Sequence, residues 1–89
     1  MSPYIKPKHR ERFDDLIDQI TVEIRNEGEV NYVISTIIAD ILASNPYSYR
    51  NLNSMIGVLE CAKLELYRRA VAPYEDTKIH ENGDLPSYG

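Results

Sequence analysis

The chain of 89 residues contains few of the residues that small proteins use for stabilisation. A single cysteine, Cys61, rules out an internal disulfide bond. His9 and His80 lie far apart without neighbouring thiols, so the spacing of a zinc site is absent. Domains of this size usually rely on a disulfide, a metal or a partner subunit. With the first two excluded, the sequence predicts self-association as a homo-oligomer.

Long hydrophobic runs are absent as well. The most apolar stretch, residues 33–43, is too short to span a bilayer and is interrupted by Asp40. The basic residues at the amino terminus are not followed by an apolar stretch, so no signal peptide is expected. We therefore expect a cytoplasmic protein with no membrane partner. The net charge of −4 makes nucleic acid an unfavourable partner, because affinity for duplexes comes mainly from neutralising phosphates.

The charge that is present is unevenly distributed. Residues 1–12 carry four basic residues and one acidic residue, whereas residues 13–30 carry six acidic residues and one basic residue. The basic end of one chain could attract the acidic segment of another. Lys6 lies near the start of the first predicted helix, where acidic side chains are normally preferred. It is therefore a candidate contact for an anion.

Hydrophobic periodicity predicts an all-α fold, a small helical bundle in one domain of residues 1–89 with residues 1–6 and 84–89 loosely ordered. The first helix is expected to begin at Pro7 and to stop at Gly28. The second, residues 29–43, is rich in β-branched residues and could pass for a strand. Its length and the lack of a second strand to pair with favour a helix. One apolar stripe marks the first helix: Phe13, Leu16, Ile17, Ile20 and Ile24.

The third helix is predicted to follow a turn at Asn45 and Pro46, with Ser48 as its cap. It extends from residue 49 to about residue 72 and has apolar residues on both sides, so both sides must be covered. Two shorter helices within one chain can hardly cover both, which again favours an oligomer. Pro73 should end or kink this helix before a short helical extension.

Residues that could carry catalysis are sparse. Asp15 and Asp18 form one carboxylate pair of the kind that helical nucleotide pyrophosphohydrolases use for magnesium. The third helix offers only Glu60 and Glu65, which point about 140° apart on a helical wheel. We therefore expect no enzymatic activity, no cofactor and no metal, and interpret the acidic residues as a solvated face.

Several basic and aromatic residues of the third helix are candidates for ligand binding or for a subunit interface. Lys63 lies within the apolar stripe, so it must pair with Glu60, extend to water or meet an anionic ligand. Arginine beside tyrosine is common where proteins bind phosphates, although arginines near a helix end are also favoured by its dipole. The candidates are Lys6, Lys63, Tyr67, Arg68, Arg69 and Tyr74.

Three segments of the sequence resemble a known family: Ile5-Lys6-Pro7, residues 28–32, and the run GVLECAKLELYRRAVAPYEDTKIHENGD at residues 57–84. The family consists of small proteins from bacteria, phages and prophage-like elements. It has no established activity, so the resemblance implies only a cytosolic accessory protein that a mobile element encodes.

Three functions fit these patterns. The leading hypothesis is a non-enzymatic homo-oligomer that holds a small anionic, nucleotide-like molecule between its subunits. The alternative is a protein–protein interaction module with no small ligand. A helix-turn-helix DNA reader that uses Arg50, Asn51 and Asn53 is a third hypothesis, but the acidic balance of the chain argues against it.

Overall fold

The computed structural model describes residues 4–44 and 47–89. Four α-helices and one π-helical turn account for most of these residues, and no strand occurs among them. The elements are α1 (Pro7–Thr21), α2 (Glu27–Ala43), α3 (Tyr49–Leu66), a π turn (Tyr67–Val71) and α4 (Ala72–Asn82). The predicted all-α fold is confirmed, including the helical interpretation of the second segment. The turn expected at Asn45 and Pro46 lies outside the described residues.

The helix starts follow from local chemistry. Pro7 is the first residue of α1, where a proline loses no hydrogen bond that the helix could have made. Ser48 caps α3 as predicted, because its hydroxyl oxygen accepts a hydrogen bond of 3.1 Å from the backbone N–H of Asn51.

The boundary between the first two helices was wrongly predicted at Gly28. The α-helix α1 already ends at Thr21, and α2 begins at Glu27, so Gly28 lies in the first turn of α2. The cause is Asn26, whose side-chain oxygen accepts a hydrogen bond of 3.0 Å from the N–H of Glu29. Glu29 in turn accepts one of 2.7 Å from the N–H of Arg25. These reciprocal bonds resemble a capping box and satisfy backbone donors at the start of α2.

The third helix continues past Pro73 through a change of helical type. Proline has no N–H to donate within a helix, and its ring clashes with the preceding turn. The chain accommodates it with the π turn, in which the N–H of Ala72 donates to the carbonyl oxygen of Tyr67, five residues earlier. α3, the π turn and α4 therefore form one continuous helical rod. α4 ends at Asn82, and Gly83 follows it with a positive φ of 87°.

The helices are splayed rather than closely packed. The radius of gyration is 17.4 Å, whereas a compact domain of this length would have about 12 Å. The accessible surface is 8069 Å², compared with roughly 5,300 Å² expected for a folded monomer of this mass. None of the described residues is fully buried. α2 and α3 approach each other, but α1 is not packed against any other described helix.

Candidate functional site

The predicted contact residues of the third helix gather around the π turn, which contains Tyr67, Arg68 and Arg69. A π turn adds a residue to a helix and is frequent at functional sites. Its backbone therefore brings two adjacent guanidinium groups and a phenol to one turn of the rod. Arg69 makes no ion pair with any described residue, although its charge contributes to lowering the pKa of Glu65.

Arg68 belongs to a small polar network that joins the amino-terminal segment to the end of α3. Its guanidinium lies 2.9 Å from Oε1 of Glu65, and the hydroxyl of Tyr4 donates to the same oxygen at 2.7 Å. The hydrogen bond from Tyr4 has the largest effect and lowers the pKa of Glu65, and the bond from Arg68 lowers it further. Partial burial of the carboxylate acts in the opposite direction but does not outweigh them. The network holds the segment just before Lys6 at the carboxyl end of α3.

Tyr67 is paired across the turn. Its hydroxyl donates a hydrogen bond to the carboxylate of Glu75 in α4, and that bond raises the pKa of the phenol. The charge of the same carboxylate, then partial burial and the charge of Asp76, act in the same direction. Tyr67 is therefore oriented by its own chain.

Lys63 and Tyr74 have partners on their own helices. The ammonium of Lys63 lies 3.1 Å from Oε1 of Glu60, and its side chain is 68% exposed, so the pairing with Glu60 considered from the sequence is present. Tyr74 has the Lys78 ammonium 5.6 Å from its ring centroid. Lys6 occupies the N-cap position of α1, in extended backbone and without a capping side-chain bond. Of the six candidates, only Tyr67, Arg68 and Arg69 share one site.

A groove beside α1 and α2 is a second candidate site, and it was not expected from the sequence. α1 and α2 enclose an open groove with a cavity volume of about 670 Å³, which lies within the usual size range of ligand pockets. Its apolar wall is formed by Leu16, Ile20, Ile24, Tyr32 and Val33, and its polar lining by Gln19, Glu23 and Glu29. No basic residue lines this groove. The apolar wall can pack against an apolar ligand, and the carboxylates of Glu23 and Glu29 can attract a positive charge on the same ligand.

The described residues contain no group of His, Cys, Asp and Glu side chains placed to hold a metal ion. Among the same residues, none of the helices combines the length and apolar character needed to cross a membrane.

Comparison with known proteins identified one family. The family model, described as a domain of unknown function (DUF6899), matches residues 1–85. No curated protein and no solved structure matches the chain.

Proposed function

Because the chain belongs to this family of unknown function, we propose its function from its own geometry: it is a subunit of a non-enzymatic homo-oligomeric binding protein. The excess of accessible surface supports this proposal most strongly. About 2,700 Å² per chain lies beyond what a folded monomer of this mass exposes. Obligate interfaces bury 2,000–5,000 Å² in total, or roughly 1,000–2,500 Å² on each partner.

In the first candidate, the chain is a protein–protein interaction module that binds other polypeptides, a second copy of itself included, and no small ligand. The groove between α1 and α2 is apolar and acidic, which is the chemistry of a surface that accepts a helix with apolar and basic side chains. Two of the predicted basic contacts, Lys63 and Arg68, are partly neutralised by Glu60 and Glu65. These pairings reduce the positive charge available for a small anion.

Binding of a small anionic, nucleotide-like molecule between subunits is the second candidate, and the π turn favours it. Arg68 and Arg69 are adjacent there, and Tyr67 is oriented by Glu75. A second subunit that approached this turn could complete a phosphate site. A cytoplasmic accessory role in bacteria or phages, which the sequence resemblance implies, is compatible with either candidate.

Two measurements test the proposal. Sedimentation equilibrium across a hundredfold range of concentration should give an oligomer that dissociates on dilution; a monomer at all concentrations contradicts it. Thermal melting against mono- and dinucleotides then separates the candidates. A nucleotide at a hundred times its Kd should stabilise the protein by about 2.7 kcal/mol.

A nucleotide shift that disappears in Arg69→Ala but persists in the control Arg50→Ala would favour the anion site. No shift across the panel would favour the interaction module. Turnover of a nucleoside triphosphate with magnesium would contradict the non-enzymatic assignment.

A further inference from the structure

The apolar stripe of α1 is exposed to solvent on both sides of the groove between α1 and α2. Phe13 is 43% exposed, and Leu16 and Ile17 are more exposed still. Leu16, Ile20 and Ile24 form part of the groove wall, whereas Phe13 and Ile17 line a neighbouring cavity of about 300 Å³. Exposed apolar surface of this extent marks a contact site.

We propose that the groove receives the first half of α1 from a second copy of this chain, in a reciprocal two-fold contact that rests on the proposed oligomer. Phe13 of the partner subunit then enters the groove near Ile24. By symmetry, Phe13 of the first subunit fills the partner's groove.

Charge complementarity selects this occupant. The groove presents Glu23 and Glu29 without a basic residue, while the first half of α1 carries Lys8, Arg10 and Arg12. The Arg12 guanidinium lies 4.9 Å from the centroid of the adjacent Phe13 ring. A Phe13 side chain that enters the groove therefore carries a cation towards the two carboxylates.

The direction of the helices follows from the same charges. In an antiparallel pair the basic beginning of one α1 lies beside the acidic end of the other, whereas a parallel pair would place like charges together. The spacing of the stripe fits this direction, since Phe13 can face Ile24 while Ile17 faces Ile20 across the two-fold axis. Positions 13, 17 and 20 follow four- and three-residue steps within α1, and Ile24 lies in the segment that follows the helix.

The area agrees with a contact of this kind. The surface exposed beyond that of a folded monomer exceeds the roughly 800 Å² that each partner contributes to an interface of standard size. The proposed contact therefore accounts for part of the exposed surface and leaves room for others, such as those along α3.

The proposed contact is tested by exchanging the charges of α1 and of the groove. Sedimentation equilibrium at low salt measures the affinity of self-association for each variant. Arg12→Glu alone and Glu23→Lys alone should each weaken self-association at least tenfold. The double variant with both changes should regain most of the lost affinity, because the attraction is then restored with exchanged signs. Asp18→Lys, on the side of α1 away from the groove, is the control and should associate as the unaltered chain does.

A cross-link gives an independent measure that does not depend on affinity. In a Cys61→Ser background, Ile20→Cys should form a disulfide-linked dimer on oxidation, because Ile20 lines the groove and faces the proposed two-fold axis. Asp18→Cys, which projects from the other side of the helix, should remain a monomer on a denaturing gel. Circular dichroism establishes that each variant is folded.

The outcomes separate the two proposals. An unaltered chain that is monomeric overturns both the oligomer and this contact. An oligomer whose affinity is unchanged by the charge variants, and which cross-links equally through positions 18 and 20, overturns only the contact. Weakening by both single charge variants without recovery in the double variant also overturns the charge pairing.

Discussion

The two halves of the molecule are stabilised in different ways. The rod of α3, the π turn and α4 is supported by ion pairs between residues three positions apart, for example Lys63 with Glu60 and Lys78 with Glu81. α1 and α2 instead hold an apolar groove between them and are joined by a short segment that the bonds of Asn26 and Glu29 order. The rod is supported by local contacts, whereas the α1–α2 half leaves its apolar groove open to solvent.

The largest effect should come from placing a charge in the groove. Ile20→Asp should destabilise the protein by about 2–4 kcal/mol and dissociate the oligomer, because a carboxylate would enter an apolar wall that already carries two others. Urea unfolding and light scattering measure the two effects. Asp18→Asn, on the exposed side of the same helix, should change stability by less than about 0.5 kcal/mol. Equal effects of both variants would contradict a difference between the faces of α1.

Removing one helix cap from each half compares how the two halves contribute to stability and to self-association. The caps are Asn26 at the start of α2 and Ser48 at the start of α3. Asn26→Ala should cost about 1 kcal/mol because the N–H of Glu29 loses its acceptor, and Ser48→Ala should cost a similar amount at α3. Only Asn26→Ala should also weaken self-association, since it loosens the segment between α1 and α2. Denaturant unfolding and sedimentation of both variants measure this; equal weakening would show that the segment does not set the groove.

A smaller, pH-dependent effect is expected where the amino-terminal segment meets the rod. The folded protein lowers the pKa of Glu65, chiefly through the hydrogen bond from Tyr4. Stability from this carboxylate is therefore complete above its pKa in the unfolded chain and is lost as the pH falls through the lower pKa of the folded chain. Tyr4→Phe should return the pKa of Glu65 towards its ordinary value in an NMR titration, while Tyr88→Phe should leave it unchanged. An unchanged pKa in Tyr4→Phe would contradict the bond.

The smallest effect concerns Tyr67 at high pH. Its pKa is raised, first by the hydrogen bond to Glu75, so the neutral phenol is favoured in the folded state. The stability that it contributes is present below the pKa of the unfolded chain and is lost as the pH rises through the folded pKa. Ultraviolet titration of Glu75→Gln should show one tyrosine that ionises at lower pH than in the unaltered protein. The control Glu81→Gln should not move it.

Much of the fold could be predicted because it depends on local patterns. Three local features were predicted correctly, and each acts within one or two turns of a helix. They are the apolar stripe from Phe13 to Ile20, Pro7 at the start of α1, and Ser48 as the cap of α3. The Gly28 boundary failed because glycine was read as a stop, although Asn26 with Glu29 three residues later carried the signal of a helix start.

The site was less predictable because its contacts join distant parts of the chain. The bond from Tyr4 to Glu65 spans 61 residues, and no spacing in the sequence announces it. The groove likewise depends on the angle between α1 and α2, which the segment after Thr21 determines. The adjacent arginines of the π turn could be recognised in the sequence, whereas the part that Tyr4 plays at Glu65, the partner of Arg68, could not.

The π turn has a geometric consequence for everything after it. Each residue of an α-helix advances the chain by about 100°, so one additional residue in the turn rotates α4 by roughly that angle about the shared axis. In an uninterrupted α-helix, residue spacing alone would show which side chains of α4 lie in line with those of α3. The π turn shifts this alignment, so a different side of α4 continues each side of α3. Deleting a single residue between positions 67 and 71 would return the rod to one phase and present another side of α4 to any neighbour.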